Sequence, residues 1–232
     1  MKKLYKFLRT DLKSHYGDCT WKVGEWKHED EVKLCSTGFH ASDTPLQALG
    51  YVPGEILSVV EVKGKSKIEN DKSAWSDMRV VKAYLWQKKD SVAFSIYAAE
   101  LCIENFEKIY PDDKRPREAI EAAKKWLIDP SPENESAASS ASSAAWVAES
   151  AARSAAWEAE SAESAWSAES AARSARSAAL SVWVAEAAWS AASSASSVES
   201  AARSASSAGK DLIKKIDAWF IKRIKVLEKY DK

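Results

Sequence analysis

Residues 33–42, Lys-Leu-Cys-Ser-Thr-Gly-Phe-His-Ala-Ser, hold the densest set of reactive side chains in this chain of 232 residues. His40 follows Gly38 and Phe39 at the end of an expected strand, where a neutral imidazole can act as acid, base or ligand. Cys35 becomes a nucleophile if a base stands beside it. The bland roles weigh more: a histidine after an aromatic is usually a hydrogen-bonded structural residue, and a cysteine in a Leu-Cys-Ser segment is usually core. His15 and His28 have no neighbour at metal spacing, and Cys19, Cys35 and Cys102 lie far apart, so no zinc site is expected. Widely spaced cysteines, odd in number, fit free thiols in a reducing cytosol. No phosphate-cradling glycine loop and no Gly-x-Ser-x-Gly elbow occurs.

The elements that would position these residues are those of a small α+β unit. Leu4–Leu8 and Thr20–His28 read as strands. Thr44-Pro45 starts a short helix through Leu46, Ala48 and Leu49, and Gly50 ends it. Glu55–Lys63 is the strongest strand pattern in the chain, and Met78–Leu85 is another. Six of the seven glycines precede residue 65 and no proline follows Pro132, so a β-rich front part gives way to a helical back part. The fold class is therefore α+β: a small twisted sheet over residues 1–88, then an all-helical region over 89–232.

In the back part, Asp90 reads as the cap of a helix over Ser91–Ile109, and Pro116 opens the next. After Asp129-Pro-Ser-Pro132 a third begins, with Ser131 as cap and Glu133 and Glu135 in its first turn. Between 136 and 208, 52 of 73 residues are Ala or Ser. No Gly or Pro interrupts this stretch, and Ala recurs at 138, 141, 145, 148, 152, 155, 159 and 162, the spacing of a packed helix. Glu149-Ser-Ala-Ala-Arg153 recurs at 169–173 and 199–203, each copy placing Glu four residues before Arg. The offsets between copies would scatter the pairs over different faces of one straight rod, so several shorter helices side by side are preferred, with a single long helix in an oligomeric coil as the alternative. Breaks are expected at Ser139–Ser143 and Ser193–Ser197, with a capping box restarting a helix at Ser196–Glu199. Gly209 is expected to cap the preceding helix, and a basic amphipathic helix follows over 210–230.

Charge is balanced, with 34 basic and 34 acidic residues, which gives no general case for nucleic acid. The exception is the last 24 residues, with eight basic against four acidic, including Lys222 and Arg223. That helix could meet an acidic partner, a membrane surface or nucleic acid, although closing the helical region is its more ordinary role. No membrane span and no signal-peptide core is expected, which points to the cytoplasm.

Two stretches resemble known families. Tyr5-Lys6-Phe7, Trp21 with Val23-Gly24, Cys35-Ser-Thr-Gly-Phe-His-Ala-Ser42, Pro45-Leu46, Ala48-Leu49 and Tyr51 resemble an uncharacterised domain at the front of phage and prophage proteins, over roughly residues 1–85. The same residues are more faintly similar to small ADP-ribosyltransferases. That likeness implies NAD as cofactor and a site built on Tyr5 and His40, although Lys6 stands where such enzymes carry a histidine. Tyr110-Pro-Asp-Asp-Lys-Arg-Pro-Arg-Glu-Ala-Ile-Glu-Ala-Ala-Lys-Lys-Trp126, with the Ala-rich text after it, resembles helical domains grouped as immunity proteins. That implies binding to a host or defence-system protein.

The expected function is thus a phage-type protein-binding factor, an immunity or anti-defence inhibitor without a cofactor. Trp146, Trp157, Trp166, Arg153 and Arg173 are its candidate contact residues, joined by Lys222 and Arg223. Packing between helices is the commoner role for those tryptophans. Self-association through the Ala-rich helices is a further possibility for partners. An NAD-using transferase and a purely structural Ala-rich protein are the rivals.

Overall fold

The computed structural model describes residues 2–52, 54–69, 72–158, 163–183, 187, 190–191, 193–194, 196–197 and 206–230. It has the expected α+β class, an antiparallel sheet followed by helices. The chain divides into two compact units. One is Met1–Trp86 with Asp217–Lys232, and the other is Gln87–Ile216.

The first unit is built on β1 (Lys2–Leu8), β2 (Lys27–His28), β3 (Phe39–Ala41), α1 (Pro45–Tyr51), β4 (Ile56–Ile68) and β5 (Ser73–Leu85). β4 pairs with β1 on one side and β5 on the other, while β2 and β3 take successive stretches of the far edge of β5. Tyr5 and Ser42 then exchange two backbone hydrogen bonds, of 2.9 and 3.0 Å, so β1 is joined to the chain just beyond β3. The pairing therefore closes on itself. Two register shifts in the β4–β5 pair, at Val59/Val60 and Lys63/Ser66, bend the long hairpin enough to allow it. The second requires glycine: Gly64 has φ +80°, and a Cβ there would lie 2.2 Å from the Ser76 hydroxyl.

Alternation along the strands sorts the two faces. Leu4, Leu8, Ile56, Val60, Val62, Met78, Val80 and Ala83 form the inner core with Leu12, Trp21 and Ala41. The Trp21 indole N–H donates to Ser14 Oγ at 3.0 Å, and its ring meets Phe39 edge-on at 5.1 Å. The opposite face carries Phe7, Leu57 and Trp86. Trp86 stacks on Phe220 of the C-terminal segment at 5.6 Å and meets Phe7 edge-on at 5.7 Å.

Several expected boundaries move. Of Thr20–His28 only Lys27 and His28 are strand, because Thr20 and Val23 make single bridges to Lys13 and Val80 instead of a continuous ladder. Gly50 lies inside α1, which runs on to a cap at Val52. β4 and β5 reach beyond their apolar patterns, to Ile68 and back to Ser73.

The second unit contains α2 (Lys88–Ile109), α3 (Arg115–Ile128), α4 (Pro132–Glu158), α5 (Glu163–Trp183) and the start of α6 (Ser206–Ile224). Asp90 is not the cap of α2. It occupies the third helical position, and its carboxylate accepts the Gln87 N–H at 2.8 Å, so Gln87 is the cap. Ser131 behaves as expected, its hydroxyl accepting the Asn134 N–H at 3.4 Å. The break expected at Ser139–Ser143 does not occur, and α4 runs through it for 27 residues. The hydroxyls of Ser140, Ser143, Ser150 and Ser154 each donate to the carbonyl four residues earlier, so serine is satisfied within the helix and has no need to end it. Ser193, Ser194, Ser196 and Ser197 are likewise helical, while Val198 and Glu199 of the expected capping box lie outside the described residues.

α4 and α5 run antiparallel, with Ser142 beside Arg176 and Arg153 beside Glu169. α5 also lies antiparallel to α2, where Asn105 Nδ2 donates to Ser167 Oγ at 2.9 Å. Ala119, Ala145 and Ala179, from α3, α4 and α5, meet as a fully buried methyl cluster. Among the described residues no helix is long and apolar enough to cross a membrane.

The last expected helix differs at both ends. Gly209 lies within α6 and caps nothing. α6 stops at Ile224 and not near Tyr230, because the following residues pair with β5: Leu85 N–H donates to Glu228 O, and Tyr230 N–H to Ala83 O, each at 2.9 Å. From Asp217 onward the chain therefore belongs to the sheet unit, whereas the sequence assigns it to the helical region.

Candidate functional site

The candidate residues fall in three places: around β3 and at the end of α6 in the sheet unit, and on α4 and α5 in the helical unit. In the sheet unit, Cys35 lies in the turn closed by Lys33 and Thr37 and has φ +59°. It is exposed and forms no disulfide. Gly38, at φ +88°, passes close enough to Trp75 O that a Cβ would stand 3.2 Å from it, so the backbone enters β3 only with glycine there. His40 follows on β3. Its Nε2 accepts the Cys35 backbone N–H at 3.0 Å, which places the neutral ring's proton on Nδ1. Burial, followed by the Lys6 charge, holds the imidazole below its ordinary pKa. His40 is thus a neutral ring fastening the Cys35 turn, and it is not positioned through Nε2 to take the thiol's proton. The Lys72 ammonium hydrogen-bonds the Cys35 thiol and Glu69, and both raise its pKa.

Tyr5 pairs with Ser42 through the backbone, but its side chain has other neighbours. Its phenol is pushed up by burial and then by Asp217 and Tyr84. Among the described residues no hydrogen bond joins the Tyr5 and His40 side chains.

Next to both stands a residue that composition and spacing do not single out. Lys6 occupies an inward position of β1 between the buried Leu4 and Leu8, and its ammonium donates to His40 O at 3.1 Å. Burial pulls its pKa down from 10.5 to about 8. The cationic form is disfavoured in the folded state, so stability rises as pH climbs from about 8 towards 10.5. At neutral pH that shift costs about 3 kcal/mol, against about 1 kcal/mol recovered by the hydrogen bond. Lys6→Met is expected to stabilise the sheet unit by about 2 kcal/mol at pH 7, with the gain gone by pH 10.5. Urea unfolding at both pH values measures it, and an equal difference at the two would refute the assignment.

In the helical unit two copies of Glu-Ser-Ala-Ala-Arg face each other across α4 and α5. Glu149 and Glu169 are buried, at 1 % and 4 % exposure. Arg153 pairs with Glu149 on its own helix and with Glu169 across the interface at 3.2 Å. Arg173 reaches Glu169 at 3.2 Å, and Arg176 reaches Glu149 at 3.1 Å. Desolvation raises the Glu149 pKa despite these arginines. The sequence reads each copy as a separate surface pair; the antiparallel packing joins them into one network.

Around that network the expected contact residues are on the surface. Trp146 is 54 % exposed, with Val147 beside it at 48 %, and Trp166 is 37 % exposed. The Arg153 side chain is 51 % exposed, and Arg173 is half-buried. The Trp157 side chain lies outside the described residues, as does the third motif copy. Lys222 is exposed and Arg223 half-buried near the end of α6, in the sheet unit.

Residues 2–89 match a family model described as a domain of unknown function, DUF7666. The matched stretch takes in all five strands, α1 and the first two residues of α2, and so includes Lys6, Cys35 and His40. No curated protein and no solved structure matches the chain. Among the described residues no group of three or more His, Cys, Asp or Glu could hold a metal ion.

Proposed function

We propose that the chain is a protein-binding factor whose contact surface lies on α4 and α5. The observation that carries this reading is Trp146: an indole more than half exposed, with exposed Val147 beside it, on a helix whose buried positions include Ala138, Ala145, Ala148 and Ala152. Helix packing here needs only methyl groups, so the indole is available for another molecule. Arg153 adds a guanidinium held in place by two carboxylates from different helices, which lowers the side-chain entropy lost on binding. Exposed Trp and Arg are the residue types that dominate interface energetics.

The likeness of residues 110–126 to immunity-type helical domains gives the partner class as a host or defence-system protein, and the likeness of the front domain supports a phage or prophage setting. In affinity capture, the tagged chain is expected to retain one partner in stoichiometric amount. Trp146→Ala should weaken that complex by about 2 kcal/mol, roughly 30-fold, with the circular dichroism spectrum unchanged. Equal retention by the variant would exclude this surface. Thermal stabilisation by millimolar NAD, with no partner captured, would favour the transferase reading instead.

A further inference from the structure

The sheet unit contains a lysine whose surroundings are those of a core residue. In the β1–β4 register Lys6 lies directly opposite Ser58, between the pairs Leu4–Val60 and Leu8–Ile56. Opposed residues of an antiparallel pair point to one face with Cβ atoms about 5 Å apart. Leu4, Leu8, Ile56 and Val60 are all fully buried on that face, as is Ala83, which opposes Ser58 from β5. Among the described residues the one hydrogen bond given to the Lys6 ammonium goes to His40 O. Ser58 is fully buried, and among the described residues its hydroxyl has no hydrogen-bond partner. Two polar groups thus face each other in an apolar layer, one singly bonded and one unbonded. Buried hydroxyls are ordinarily satisfied, and an unsatisfied one costs about 1–3 kcal/mol. A leucine and an alanine would pack this layer without that cost.

We propose that Lys6 is a nucleophilic amine that captures a small aldehyde or ketone as an imine, with the Ser58 hydroxyl serving the carbonyl oxygen. A lysine in apolar surroundings holds part of its population as the neutral amine, the form with a free electron pair. The amine nitrogen attacks the carbonyl carbon and the C–N bond forms. The carbonyl π electrons move to oxygen, where the Ser58 O–H donates a hydrogen bond. A proton passes from nitrogen to that oxygen to give the carbinolamine. Loss of water then leaves the C=N bond, so amine and carbonyl yield imine and water with no oxidant or reductant. Lys6 is half-buried and not sealed from solvent, and in this proposal a small carbonyl compound enters from that open side. Arginine at this position would keep a cation but could not form the imine.

The full chain is incubated at pH 7.5 with propanal and sodium cyanoborohydride, which reduces the imine to a stable secondary amine, and alkylation is mapped by peptide mass spectrometry against time. Lys6 is expected to be alkylated about tenfold faster than exposed lysines such as Lys22 and Lys214. Its rate should rise with pH through a midpoint near 8, where half of its amine is neutral, and level off above that, while the others keep rising. Ser58→Ala should slow Lys6 several-fold and leave the other lysines unchanged. A Lys6 rate no higher than that of the exposed lysines in the unmodified chain overturns the proposal. Failure of Ser58→Ala to change the Lys6 rate removes the serine from it.

Discussion

Glu149→Ala should lower the unfolding free energy of the helical unit by about 4 kcal/mol at pH 7. The carboxylate is almost wholly enclosed and contacts Arg153 of its own helix and Arg176 of the neighbouring one. Deleting it leaves three guanidinium groups with one carboxylate, Glu169, and removes the counter-charge of Arg176, whose buried Nε makes no hydrogen bond among the described residues even in the intact network. Breaking a buried pair from one side costs far more than the intact pair contributes, because the surviving charge stays desolvated. Arg153→Ala should cost much less, since that side chain is half in water and each glutamate keeps another arginine. Urea titration followed by circular dichroism decides it, and equal losses for the two variants would show that the network is not organised around Glu149. The pH dependence has a fixed sign. The folded pKa of Glu149 lies above its ordinary 4.5, so ionising it costs the folded state some stability as pH rises from 4.5 through the folded value, a cost separate from that of leaving its arginines without a carboxylate. Glu149→Gln should remove that slope.

Ala179→Leu should destabilise the helical unit by about 3 kcal/mol, and Ala145→Leu should do the same. Both methyls are fully buried and meet Ala119, so three helices approach through the smallest side chain that leaves a Cβ. A leucine there must push a helix backbone away or leave its rotamer minimum. Exposed alanines such as Ala137 and Ala151 should accept leucine with almost no change, because helix propensity barely differs between the two. Thermal unfolding of the four variants separates these cases. Tolerance at 179 and 145 would mean that alanine is not the contact residue of this unit.

Much of this architecture is legible in the chain before folding is considered. Short apolar runs rich in Leu, Val and Ile mark β1 and the first half of β4, and the Ala spacing marks α4. Where the signal fades the boundaries fail. Beyond Val62, β4 is exposed through Ile68, so no apolar alternation records it; what holds it is pairing with β5, made possible by Gly64 and the shift beside it. The serine clusters mislead for a different reason: a hydroxyl that would compete with the backbone in a short peptide is satisfied inside a long helix by the carbonyl four residues back.

By itself the sequence determined the local conformations and the class of each unit, because propensity and periodicity act over a few residues. It also set down the Glu–Arg pairs, the indoles and the lysine in β1 as chemical facts. Only the tertiary structure decided which of these became buried. Antiparallel packing of α4 on α5 turned two copies of one short motif into a single enclosed network and left Trp146 outside it. Pairing of β1 with β4 put a half-buried Lys6 opposite the fully buried Ser58, and closure through Tyr5 and Ser42 brought the His40 strand against it. Burial depends on which distant segments come together, and a charge or hydroxyl acquires its unusual properties only once water has been removed from around it.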